Sequence, residues 1–228
     1  SAELYPDIFS PLQFPSHPLR MAGFGMRALP PAALLARAAF RTQEARALLA
    51  GNAAHSVLPL EAPLTSAIAI MLQFSAHAVG WPVARGGSQN IATALVRIIE
   101  RHGGELVTGW RIRSLNDLPP SRAVLFDTAP RHLAEIAGPA LPASFGRRLT
   151  NYRHGPGVFK IDYALSEPVP WTHLDCRKAG TVHVGGTLEE ISRSEAEACG
   201  GIHSDSPFVL TAQQSVCDPE RAPAGQHT

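Results

Sequence analysis

The sequence predicts an α+β fold, in which helices accompany a mixed or antiparallel sheet. Three observations carry that prediction. Gln89–Arg101 places Ile91, Leu95, Ile98 and Ile99 on one face at helical spacing. Residues 62–84 contain no charged side chain, as expected of a helix buried on all sides. Gly155–Leu165 alternates Val158, Lys160, Asp162 and Ala164 against Phe159, Ile161, Tyr163 and Leu165, the period of a half-buried strand.

Residues 1–29 are expected to be loop, because Pro6, Pro11, Pro15 and Pro18 interrupt long helices. Gly23–Ala28 spells G-x-G-x-x-A, but a dinucleotide fingerprint needs a strand before it and a helix within it. Phe14-Pro15-Ser16-His17-Pro18 offers no such strand, so the match is rejected. Pro30-Pro31 begins a helix expected over Ala32–Ala50, which Gly51-Asn52 stops. His55 follows in a turn, where capping or core hydrogen bonding outweighs catalysis. Within the charge-free stretch, Ile68, Met71, Leu72 and Ser75 fall near one helical repeat, and His77 lies beyond them. Its Pro63, Gln73, Ser75, Gly80 and Pro82 make insertion across a bilayer unfavourable.

Arg85–Leu115 is the best organised stretch. Gly86-Gly87 form a tight turn, Ser88 is an N-cap, and the amphipathic helix runs to His102-Gly103-Gly104. A strand is expected next, with Leu106, Trp110 and Ile112 against Glu105, Arg111 and Arg113. Ala123–Phe126 reads as a short buried strand ending at Asp127-Thr128-Ala129-Pro130, and Arg131–Ala137 as a short helix. Thr181–Gly185 and Pro207–Ser215 are expected as partners in one sheet, with Leu188–Cys199 a mostly solvated helix between them. Gln214 closes the second strand at a position suited to hydrogen bonding.

The composition excludes several classes. A net charge of +1 provides no field to attract nucleic acid. Cys176, Cys199 and Cys217 form no C-x-x-C pair and suit reduced thiols in the cytoplasm. Ser1–Tyr5 lacks the basic start and apolar run of a secretory signal. No metal is expected, because His173-x-Asp175 and His203-x-Asp205 are loop pairs without further ligands nearby in sequence. No G-x-S-x-G or H-E-x-x-H motif is present. Charged residues are only 17% of the chain, below the usual ~25%. That deficit suits a surface which something else covers.

Pro82, Gly86, Gly87, Leu95, Gly103, Gly104 and Ile112 resemble the "P-x-x-GG…aL…GG…i" segment of the phytoene desaturase-like FAD-dependent oxidoreductases, relatives of the amine oxidases. Ala53-Ala54-His55-Ser56 and Asp218-Pro219-Glu220-Arg221-Ala222-Pro223 resemble two further passages of that family. The resemblance covers most of the chain and implies hydride transfer from an apolar substrate to FAD. It implies cofactor contacts at Gly86, Gly87, Ile112 and Ala129, and a substrate cavity at Ile68, Met71, Leu72 and Gln214.

Gly157-Val158-Phe159-Lys160 resembles the amine-oxidase strand whose lysine faces flavin, which makes Lys160 a catalytic candidate. The plainer explanation is that Lys160 and Asp162 pair with each other on the polar side of a half-buried sheet. His77 and His183 are the other catalytic candidates. The family's FAD fingerprint and ribose-binding acid have no counterpart here. The expectation is therefore a central fragment that binds substrate, holds no FAD tightly alone, and has the remainder of a parent chain as partner.

The expected domains are 1–84 (helical, substrate side), 85–132 (helix–strand portion of an FAD-binding domain) and 133–228 (sheet, substrate side). Peripheral contact with a membrane fits a greasy substrate. A non-catalytic module binding an apolar ligand or a partner is the alternative.

Overall fold

The computed structural model describes residues 4–11 and 13–228. The opening Ser1–Glu3, part of the stretch expected to lack a signal peptide, lies outside them. The fold is α+β and predominantly helical. In chain order come α1 (Tyr5–Phe9), α2 (Pro18–Ala28), α3 (Ala32–Ala39), α4 (Gln43–Ala53), α5 (Thr65–Ala78), α6 (Gln89–Arg101), α7 (Pro130–Ala137) and α8 (Ala143–Thr150). Then follow β1 (Thr181–Val184), α9 (Leu188–Cys199), β2 (Val209–Ala212) and α10 (Gln214–Cys217). Two compact units form: residues up to Ile91 together with Pro156–Thr228, and Ala92–Gly155.

The first unit is built on alanine. Ala32, Ala33 and Ala36 of α3, Ala50 and Ala53 of α4, and Ala69 of α5 are buried together with Leu49, Leu60, Leu188 and Ile191. Small side chains let helix backbones approach closely, so burial is dense although few residues are large. Thr65 fastens the layers. Its Oγ1 accepts the Ala32 N–H at 2.9 Å and donates to the Ala62 carbonyl at 2.8 Å, fully buried.

The expected single helix over Ala32–Ala50 is divided at Phe40–Thr42. Phe40 turns extended, and the Thr42 hydroxyl accepts the Ala45 N–H to start α4 afresh. The loop expected over residues 1–29 is also corrected. Pro6 and Pro18 stand in the first turns of α1 and α2, where a missing N–H costs nothing. Gly23–Ala28 lies inside α2, so the rejected G-x-G-x-x-A forms no glycine turn.

β1 and β2 pair antiparallel, with His183 opposite Leu210 and Val184 opposite Val209. They are the expected partners. α9 forms over the expected span, held by a capping box in which Thr187 and Glu190 bond each other's backbone N–H. It is less solvated than its glutamates suggest, since Leu188, Ile191, Ser192 and Ser194 are buried. α5 is likewise not buried on all sides. Thr65, Ser66 and Ala69 are covered, while Ala76, His77 and Ala78 are exposed. Absence of charge indicates tolerance of burial rather than burial itself. No helix among the described residues is long and apolar enough to cross a membrane.

Three expected strands do not form. Glu105–Leu115, Ala123–Phe126 and Gly155–Leu165 join no ladder among the described residues, apart from the single Leu165–His227 bridge at the end of the last; Gly109, at φ +72°, bends the first, and Leu115 opens a 3-10 turn. Alternation favours extended backbone, but a strand also needs a neighbour to take its N–H and C=O groups. The exposure is large: Leu125 is 96% exposed and Phe159 89%.

In the second unit, α6 is the expected amphipathic helix, and Gly103, in a left-handed conformation at φ +79°, gives its exit. Its apolar residues Leu95, Ile98 and Ile99 are about half exposed. α7 and α8 pack on each other. Asp117 and Ser114 form a capping box around the turn Leu115–Asp117.

Candidate functional site

α5 carries a hollow on each of two flanks. On one, Ile70, Met71 and Phe74 meet Leu4, Ile8 and Phe24 around an apolar cavity of about 390 Å³, with Arg20 and Arg27 of α2 also lining it. The Tyr5 ring meets Phe74 tilted, with centres 5.2 Å apart, and its hydroxyl bonds Ser75 at 2.6 Å, which ties α1 to this wall. On the other flank, Gln73, Ala76 and His77 border an open cleft of about 680 Å³. α4, β1 and the 175–179 loop complete it, contributing Asp175, Cys176 and His183. Both volumes suit small-molecule ligands.

The structure therefore brings His77 and His183 to one cleft. Met71 lines the opposite cavity, whereas Ile68 and Leu72 line neither. The strand ends at Ala212, and Gln214, at the start of α10, donates its side-chain amide to the Ala212 and Thr228 carbonyls at 3.3 and 3.2 Å. The neighbouring Gln213 is bonded more closely. Its side chain accepts from the Trp171 indole at 3.0 Å and donates to the Cys176 and Ala179 carbonyls at 2.8 and 2.7 Å. Buried Gln213 thus holds the loop that forms one cleft wall. Nothing in its sequence setting distinguished it from Gln214.

His183 has the most developed surroundings. Its Nε2 lies 3.1 Å from His55 Nε2, and the Phe208 ring meets it edge-on at 5.3 Å. A Cβ at Gly51 would stand 2.9 Å from His183 Nδ1, so only glycine leaves room for the ring against α4. Burial pushes both imidazoles below their ordinary pKa, and His55 adds to the effect on His183. One imidazole donates and the other accepts, so the pair is favoured neutral.

Lys160 stands 72% exposed on an extended segment. Its ammonium pairs with Asp162 at 2.6 Å, as expected, but the half-buried sheet expected to carry the pair does not form among the described residues.

No protein-family model matches the chain, and it matches no curated protein and no solved structure.

Hydrogen bonds within the chain already engage the glycines that the resemblance assigns to FAD. Gly86 and Gly87 both have positive φ, as a turn demands. The Gly86 N–H is taken by Asp218 Oδ2 at 2.6 Å, and the Gly87 N–H by the Ala84 carbonyl at 3.0 Å. Neither donor is left for a pyrophosphate. In the second unit, half-buried Ile112 lies on an extended segment and exposed Ala129 precedes α7. The N–H groups of Gly86 and Gly87 therefore do not fit a pyrophosphate. The double glycine instead joins the Asp218–Pro223 passage, whose Arg221 guanidinium packs over Gly87. The two passages lie 132 positions apart, so neither announces this contact by itself.

Proposed function

We propose that this chain is the central, substrate-side portion of an FAD-dependent oxidoreductase of the phytoene desaturase-like group, with the nucleotide held by polypeptide outside it. The observation that carries this reading is the state of Ala92–Gly155. There an amphipathic helix leaves Leu95, Ile98 and Ile99 about half exposed, and the apolar segments 105–113 and 123–126 join no ladder among the described residues. Apolar surface of that extent is unfavourable in water. A helix–strand portion of a larger nucleotide-binding domain has this form when the rest of its sheet is supplied by further chain.

The contact of Gly86 with Asp218 supports the same reading, since it unites two passages on which the resemblance rests. The apolar cavity at Met71 and the cleft at His77 and His183 are the candidate substrate spaces. An apolar substrate agrees with a cytoplasmic, membrane-peripheral location, as do the free thiols Cys176, Cys199 and Cys217.

The decisive experiment is the visible absorbance spectrum of the purified full-length gene product. Flavin bands that bleach anaerobically with an apolar substrate support the oxidoreductase. A colourless protein that still binds a fluorescent apolar probe, with Met71→Arg abolishing the binding, supports the alternative of a non-catalytic apolar-ligand module, to which the cavity is equally suited.

A further inference from the structure

Arg20, Gly23, Phe24 and Arg27 of α2 all line the apolar cavity of about 390 Å³. Their spacing places them on one stripe of the helix, basic at each end and apolar between. The facing walls are Leu4, Ile8, Ile70, Met71 and Phe74, and no carboxylate lines the cavity among the described residues. Both arginines are exposed, so they stand where the cavity meets water. Arg20 is already engaged within the chain. Arg27 makes one hydrogen bond among the described residues, from Nη1 to the Gly23 carbonyl of its own helix at 3.0 Å. The rest of its donor fork is open to a ligand.

From this stripe we propose that the cavity takes a single-chain amphiphile, its apolar tail against Phe24, Met71 and Phe74 and its carboxylate head on Arg27. The ligand class rests on the reading of this cavity as a substrate space and names the head group that the space selects. A planar guanidinium meets a carboxylate with two parallel N–H···O bonds, which a hydrocarbon or an alcohol cannot reproduce. At an exposed mouth the two charges keep part of their hydration, so the pair escapes the full cost of leaving water. The tail supplies the affinity and the head fixes its direction.

Gly23 keeps the space open. A Cβ added there would meet nothing within 4 Å, so a leucine has room to extend over the cavity without disturbing the existing packing. Gly25 also has nothing within 4 Å of an added Cβ but does not line the cavity, which makes it a matched control on the same helix. Leucine favours helix over glycine at both positions.

The test is calorimetric titration of the purified full-length gene product with decanoate and with decanol near neutral pH. One decanoate should bind per chain, and more tightly than decanol. Without a cation at the mouth the order would reverse, since the alcohol carries no charge to desolvate. Arg27→Gln should weaken decanoate about fivefold, the upper end for an exposed ion pair, and leave decanol unchanged. Gly23→Leu should weaken both ligands and Gly25→Leu neither. Decanol binding as tightly as decanoate, or decanoate unaffected by Arg27→Gln, would overturn the carboxylate class; if Gly23→Leu still weakened both, the apolar substrate space would stand. Absence of binding, or binding indifferent to Gly23→Leu, would remove the cavity from both readings, while the flavin spectrum would still judge the oxidoreductase.

Discussion

The carboxylate of Asp218 accepts the backbone N–H of Gly86 at 2.6 Å, across 132 positions of sequence. Asp218 is 6% exposed, so this bond is made away from solvent. It pins a glycine whose φ of +73° few other residues would adopt. Asp218→Ala leaves that N–H without its acceptor and should cost about 1–3 kcal/mol. Asp218→Asn keeps a carbonyl oxygen at the site and should cost less. Urea denaturation of the three proteins measures both, and equal midpoints would show that the clasp contributes nothing.

Gly51→Ala should separate the histidine pair. The new Cβ would stand 2.9 Å from His183 Nδ1, closer than a side-chain contact tolerates. The ring must shift, at an overpacking cost of about 1–3 kcal/mol. The expected signature is a changed chemical shift for both His55 and His183 ring protons together with a lower denaturation midpoint. A stability loss without any change at His55 would place the strain elsewhere.

Legibility in the sequence followed the range of the interactions. α9 was readable end to end because Thr187 and Glu190 cap it locally and its apolar positions lie a turn apart. The glycine exit of α6 was readable for the same reason. β1 and β2 were readable as partners because both combine β-branched residues with adjacent breakers. Segments 105–113, 123–126 and 156–164 also had strand character, but pairing is a property of two segments, and they join no ladder among the described residues. The helical start at Pro18 was missed because proline breaks a helix interior yet suits its first turn. His55 and His183 were each visible, but they are 128 positions apart and only the packing of β1 beside α4 joins them.

Thr65 should prove costly to replace despite its small size. Its hydroxyl accepts from the Ala32 N–H and donates to the Ala62 carbonyl, with no exposure to water. Thr65→Val preserves the shape and removes both bonds, leaving buried backbone groups unmet. A loss of about 1–3 kcal/mol is expected, with Thr65→Ser recovering most of it. Hydrogen exchange at the Ala32 amide checks the mechanism, since it should accelerate in Thr65→Val and remain slow in Thr65→Ser.

Glu195, half-buried on α9, ties stability to pH and to a nearby thiol. Burial raises its pKa above the ordinary value of 4.5. The folded state therefore holds this proton more tightly than the unfolded state does. The resulting stabilisation is present below the unfolded pKa and disappears as pH rises through the folded one. At neutral pH the charge opposes folding, so Glu195→Gln should raise the denaturation midpoint there, and the gain should shrink as pH falls through the carboxylate range. Cys199, one helical turn on, has its thiol pushed up first by burial and then by the Glu195 charge. Removing that charge should move the pH profile of Cys199 alkylation, followed by peptide mass spectrometry, to lower pH. A midpoint gain that persists in acid, with the Cys199 profile unmoved, would mean that the substituted amide acts through packing and that the Glu195 carboxylate is solvated.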